Sequence, residues 1–174
     1  MRTRAGTGDP ATGFAAALGV IASGVTLVTM ADERDDIGVT VSAFCPVSMT
    51  PPIVLISLIG ESYPAELLAR LDCFAVTVLA VAQRLLAGRF AAAGRPGARL
   101  LLDDVAHHRG RLSRALIPDE GLAALECEVA MRVPAGDHLL VVARVIGVDY
   151  VAETGDPLIR FAGRYPALGR AQCP

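Results

Sequence analysis

Two long β-type segments joined by one short turn constrain this chain more than anything else in it. Gly121 to Val133 and His138 to Val151 are rich in Val, Leu and Ala, and Pro134-Ala135-Gly136-Asp137 separates them. A turn this short joins only antiparallel strands. The segments therefore predict a long hairpin, and a hairpin needs further strands or a helix against it to be stable.

The rest of the chain supplies them. Val25 to Ala31 reads as a strand, Asp32 to Asp36 as a charged hairpin turn, and Gly38 to Met49 as one long strand. On that strand Thr40, Ser42 and Phe44 face one way and Val39, Val41 and Ala43 the other. Pro46 and Pro51-Pro52 restrict where it can pair. Ile53 to Ile59 is a continuous apolar run, predicted to be buried on both faces. Cys73 to Leu79 and Leu158 to Phe161 complete the strands. Helices are predicted from about Gly13 to Ala22, capped by Asp9 or Thr12, from Tyr63 to Leu71 with Pro64 in its first turn, and from Gln83 to Ala92. Gly94-Arg95-Pro96-Gly97 is a breaker, and residues 98–120 read as a long loop. The expectation is a mainly β fold with a few helices, antiparallel and closed into a barrel that leaves no exposed edge. One domain is expected over residues 12–166, between tails at 1–11 and 167–174.

Composition narrows the function classes. Apolar residues make up 53% of the 174, above the usual ~45–50%. The excess suggests a surface buried against a second copy, hence a homodimer. A net charge of -2 and no Trp argue against nucleic acid. Cys45, Cys73, Cys127 and Cys173 match no metal or disulfide spacing and read as small hydrophobes in a reducing compartment. Phe14 to Ala31 is uncharged and follows Arg2 and Arg4, but Asp9 and Pro10 interrupt any signal-like start. The stretch turns midway from Ala-rich to alternating β-branched, as a helix running into a strand would. A cytoplasmic protein is expected.

Standard catalytic signatures are missing. Gly6-Thr7-Gly8 lacks both a third glycine and a preceding strand, so it is no dinucleotide fingerprint. No P-loop, HExxH or GxSxG occurs. His107 and His108 read as surface residues, and Asp103-Asp104, Glu126 and Glu128 as solvated faces. What remains is a set of small polar residues at strand ends and one histidine, His138, in a hairpin. That pattern suits a cofactor site, where the protein binds and orients while the cofactor brings the chemistry.

Five pieces in order make this specific: Ser23-Gly24-Val25-Thr26-Leu27-Val28-Thr29; Gly38-Val39-Thr40-Val41-Ser42-Ala43-Phe44 closed by Val47-Ser48-Met49-Thr50-Pro51-Pro52; Phe74-Ala75-Val76-Thr77-Val78-Leu79; Ala135-Gly136-Asp137-His138; and Gly163-Arg164-Tyr165. Together they resemble the flavin reductase-like, FMN-binding split-barrel family, and more narrowly the reductase components of two-component flavin monooxygenases. The resemblance spans residues 12–166.

It implies a homodimeric split β-barrel that oxidises NAD(P)H and reduces FAD or FMN for a partner monooxygenase. Hydride would pass directly between the two rings, with no protein nucleophile. It also implies that Thr40, Val41, Ser42, Ala43 and Phe44 lie along the flavin ring and ribityl chain. Ser57, Leu58, Ser62 and Tyr63 would meet the ribityl and phosphate, and Arg89 and Phe90 would close the phosphate side. His138, Arg164 and Tyr165 would hold the nicotinamide nucleotide. Relatives often carry a basic residue at Tyr63-Pro64 and Asn at Thr77; the first departure bears on phosphate affinity and on FMN against FAD. A 2′-phosphate calls for a nearby cation, and a chain without Lys tilts to NADH over NADPH. Other readings of the same residues are polar alternates for Thr40 and Ser42, a surface position for His138 and a solvated salt bridge for Arg89. The competing functions are a flavin-binding electron-transfer or storage module without NADH turnover, and a pyridoxamine-phosphate oxidase-like enzyme, disfavoured by the lack of a basic cluster for the substrate phosphate.

Overall fold

A computed structural model describes residues 11–168. Asp9, Cys173 and most of both tails lie outside that range. Helix α1 (Ala11–Gly19) leads into β1 (Ser23–Gly24) and β2 (Thr26–Ala31), so the uncharged stretch divides into helix and strand as its pattern suggested. Next come β3 (Asp36–Val41), β4 (Phe44–Met49), β5 (Pro52–Ile59), α2 (Tyr63–Arg70) and β6 (Cys73–Val78). A 3-10 turn over Val81–Gln83 precedes α3 (Arg84–Ala91) and α4 (Ala98–Leu101). The chain ends with β7 (His107–Arg109), β8 (Leu116–Pro118), β9 (Ala123–Ala135), β10 (His138–Val151) and β11 (Ile159–Arg160). Among the described residues no helix is long and apolar enough to cross a membrane.

The expected hairpin is the centre of the molecule. β9 and β10 pair antiparallel from His138↔Ala135 to Val151↔Ala123, and Gly136, at φ +62°, makes their turn. Around them runs a seven-stranded antiparallel sheet in the order β3-β2-β6-β9-β10-β5-β4. The expected barrel does not close. β3 and β4 are consecutive in sequence but form opposite edges of the sheet, with no ladder between them. The single strand expected over Gly38 to Met49 is broken at Ser42-Ala43, the two residues that carry the chain from one edge to the other. Groups other than strands occupy these edges. Arg95 Nε donates to the Gly38 carbonyl on β3 (2.8 Å), and β4 carries Pro46, which has no N–H to offer, at a register shift. A split is left between the edges.

One core lies on one face of the sheet, built from Met30, Ile56, Phe74, Val141 and their neighbours, with Leu67 and Leu68 of α2 packed into it. α2 starts where the sequence places it: Ser62 is its N-cap, accepting from Ala65 N, and Arg132 donates to the Leu68 and Leu71 carbonyls at its end. A second core, with Leu27, Leu86, Phe90, Leu102 and Leu158, lies outside the sheet beneath α3 and α4. The strands buried on both faces are therefore β2 and β6. β5, expected to be so, buries only Val54, Ile56 and Leu58, while Ile59 is 61% exposed.

Residues 98–120 are also more ordered than a loop. Besides α4 they form the β7–β8 hairpin. Asp36 holds them to the start of β3, since its carboxylate takes Arg99 Nε at 2.6 Å and both Arg109 terminal nitrogens at 2.9 Å. One surface assignment, that of Glu126, needs correction here, while His108 stays at the surface with its side chain 41% exposed. Glu126 is buried (3% exposed), and its Oε2 accepts from Leu112 N, Ser113 N and Ser113 Oγ at 2.6–2.9 Å, which shapes the 110–115 loop. His108 bridges two carboxylates, Asp119 at 2.5 Å and Asp149 at 2.9 Å; the Asp119 bond, aided by the charge of Asp149, raises its pKa.

Burial on both faces forces β2 and β6 threonines to find partners. Thr26 Oγ1 donates to the Val41 carbonyl and Thr29 Oγ1 to that of Leu116. Thr77 Oγ1 is fully buried and finds none among the described residues. An orphaned hydroxyl costs stability that an isosteric methyl does not. Thr77→Val should stabilise the protein by about 1 kcal/mol in chemical denaturation; a loss of stability would mean the hydroxyl has a partner such as a buried water.

Candidate functional site

A cavity of about 740 Å³ lies along the β3 edge and the Ser42-Ala43 crossover. That is within the ~300–1,000 Å³ typical of small-molecule and cofactor sites. One wall is the exposed edge of β3, from Ile37 to Val41, continuing through Ser42 and Ala43. The facing wall is the end of β5 (Ser57 to Ile59) with the start of α2 (Ser62 to Pro64). Phe90 and Ala91 at the end of α3, and Gly94 to Pro96 after it, form the floor; His138, Arg160 and Tyr165 stand at the remaining side.

Each wall has a local cause. Gly38 permits close approach of α3, because a Cβ there would lie 2.4 Å from the Phe90 ring. Gly60 N donates to the Asp137 carbonyl at 2.8 Å, which ties the β9–β10 turn to the end of β5. His138 Nδ1 pairs with Asp137 Oδ1 at 2.7 Å, while its Nε2 has no protein partner among the described residues. That imidazole lowers the Asp137 pKa. Tyr165 packs on the outer core, with the Arg84 guanidinium 5.7 Å from its ring centroid.

Of the residues the resemblance points to, Thr40, Val41, Ser42, Ala43, Ser57, Leu58, Ser62, Tyr63, Phe90, His138 and Tyr165 come together around this cavity. Three do not line it. Phe44 pairs with Ile56 on β4 and packs against the inner core. Arg164 is exposed in a turn closed by backbone bonds with Phe161. Arg89 forms a two-pronged ion pair with Asp104 and donates to the Leu101 carbonyl, on a surface apart from the cavity. Sequence reasoning passed over Arg95 and Arg160, both of which line it. The only local signal for Arg95 was a charged side chain set inside a Gly/Pro breaker.

The donor set suits a flavin nucleotide. The hydroxyls of Thr40, Ser42 and Ser57 have no protein partner among the described residues, the β3 edge offers backbone groups, and Arg95 adds a cation. Residues 18–169 match the family described as the flavin reductase like domain. The chain belongs to this family. Among flavin reductase relatives, the NADH-dependent FMN reductase AsuE2 of Streptomyces nodosus subsp. asukaensis is 33% identical over 163 residues, covering 94% of this chain and 88% of that protein. The reductase component of 4-nitrophenol 4-monooxygenase/4-nitrocatechol 2-monooxygenase from Rhodococcus opacus is 36% identical over 152 residues, 87% of this chain and 78% of that one. The solved NADH:FAD oxidoreductase SgcE6 of Streptomyces globisporus C-1027, in complex with NAD and FAD fragments, superposes with a TM-score of 0.85 at 26% identity, covering 94% and 96% of the two chains.

Proposed function

We propose that this flavin reductase-like chain oxidises NADH, reduces FMN or FAD, and supplies the reduced flavin to a partner monooxygenase. The observation that carries this is the cavity beside the β3 edge, which is lined by eleven of the fourteen residues the resemblance points to. The relatives support it: one is named an NADH-dependent FMN reductase, another the reductase component of a monooxygenase, and a third an NADH:FAD oxidoreductase.

Flavin supplies the hydride acceptor when bound and NADH the hydride. The chain supplies position. Thr40 to Ala43 offer an extended edge on which a planar ring can be hydrogen-bonded, and Ser57 and Ser62 face it with hydroxyls. Phe90, fully buried, keeps water from the floor. His138, held through Nδ1 by Asp137, keeps Nε2 for the nicotinamide nucleotide, and Tyr165 lines the same cavity. The proposed assembly is a cytoplasmic homodimer. Met49 (88% exposed), Ile59 (61%), Met131 (56%) and Val47 (54%) on β4, β5 and β9 are apolar side chains a second copy would cover.

The test is NADH oxidation by flavin-stripped protein with FMN or FAD added in turn. Oxidation should saturate with one flavin. His138→Ala should raise the KM for NADH on the order of 10-fold, the worth of one lost hydrogen bond, with flavin affinity unchanged. Flavin binding without NADH oxidation would instead leave a flavin-binding module. Light scattering on the same preparation should give twice the 18.1 kDa chain mass.

A further inference from the structure

Arg95, Arg109 and Arg132 are the half-buried arginines among the described residues. Two of them have carboxylates: Arg109 pairs with Asp36 at 2.9 Å and Arg132 with Asp72 at 3.3 Å. Arg95 has no carboxylate within ion-pair distance among the described residues. Its partners are backbone carbonyls, Gly38 to Nε at 2.8 Å and Ala92 to Nη1 at 3.3 Å. They fix the plane of the guanidinium and leave Nη2 without a partner among the described residues. A cation drawn out of water without a counter-ion is unfavourable. Burial alone acts on Arg95 and pulls its pKa down, with nothing nearby to offset it. A preset, uncompensated guanidinium on a cavity wall is suited to an anion, and a phosphate matches its planar fork best.

We propose that Arg95 is the anchor for the phosphate that follows the ribityl chain in FMN and FAD, an inference that rests on the flavin reductase reading above. Position selects this phosphate over those of the nicotinamide nucleotide. Arg95 is bonded to Gly38, two residues before Thr40 on the edge assigned to the flavin, whereas His138 is paired with Ile59 on β5, an interior strand of the sheet. The role thereby moves from Arg89, whose guanidinium is already engaged by Asp104 outside the cavity. It also places a cation at the site even though α2 begins with Tyr63-Pro64.

The experiment is a fluorescence titration of FMN and of riboflavin, which has the same ring and ribityl chain but no phosphate, with the wild type, Arg95→Gln and Arg95→Lys. Thermal melts of each check folding. Arg95→Gln should weaken FMN on the order of 10-fold or more, the loss of a charge-assisted bond, and leave riboflavin unchanged. Arg95→Lys keeps the charge without the fork and should recover part of the FMN affinity. Equal weakening of FMN and riboflavin would reduce Arg95 to a support for β3, and unchanged FMN binding would remove it from the phosphate. A rise in the KM for NADH with FMN binding intact would move its anion to the nicotinamide nucleotide. A wild type that binds neither flavin would bring down the reductase reading itself, and the proposal with it.

Discussion

Asp36→Asn should lower stability by about 3 kcal/mol, the low end for breaking a buried ion pair. In a chain of this size that is a drop in Tm of roughly 6–12 °C. Asp36 is 1% exposed and binds two arginines from segments far along the chain, on α4 and β7. The low end applies because Arg99 (62% exposed) and Arg109 (33%) can recover water once the carboxylate is gone. Burial pushes the Asp36 carboxyl up, but the hydrogen bonds from Arg109 and Arg99 outweigh it and hold its pKa below the ordinary value. A carboxyl with a depressed folded pKa stabilises fully above the unfolded carboxylate range, and that contribution is lost as pH falls through the folded pKa. The difference between wild type and variant should therefore be full at neutral pH and shrink progressively in acid. A difference independent of pH would mean that packing, not charge, is what Asp36 provides.

Gly38→Ala is expected to cost about 2–3 kcal/mol, near the upper range for overpacking. The added Cβ would fall 2.4 Å from Phe90 Cε1 and 2.8 Å from Cδ1, and Phe90 is fully buried. An alanine in a strand would otherwise gain ~0.5–1 kcal/mol over glycine, so the clash decides the sign. Because Gly38 and Phe90 both line the cavity, flavin affinity should fall with stability. Phe90→Leu alone opens a gap and destabilises, but combined with Gly38→Ala it makes room for the methyl. The double variant should be more stable than the sum of the two losses by on the order of 1 kcal/mol. Strict additivity would show that the strand, and not the ring, yields to the new methyl.

Much of the fold was legible along the chain. Two long β-rich segments and the turn chemistry between them located the β9–β10 hairpin, including His138 at the first position of β10, because both signals lie within neighbouring residues. The order of short motifs carried the family resemblance, and the resemblance pointed to Thr40 to Ala43, Ser57, Ser62 and His138, all of which line the cavity. β5 failed for a physical reason. An unbroken apolar run says that a strand can be buried on both faces, but what covers the second face comes from elsewhere: α3, α4 and the 98–118 segment lie over β2 and β6 instead.

Charge partners were decided the same way. Arg89 and Arg95 are six positions apart, the first in the helix predicted over Gln83 to Ala92 and the second in the breaker that follows, and neither position names its partner. Packing alone gives the first to Asp104 and sets the second, without a carboxylate, against the cavity. Glu126 was equally unreadable, because a carboxylate in an alternating strand looks solvated until a loop folds three donors onto one of its oxygens. The sequence by itself determined the β9–β10 hairpin, several of the other strands and the family, all carried by contacts or motifs local to the chain. The open split, the burial of β2 and β6 and the unpaired Arg95 were decided by the tertiary structure, because each depends on which distant segment comes to rest against an edge, a face or a charge.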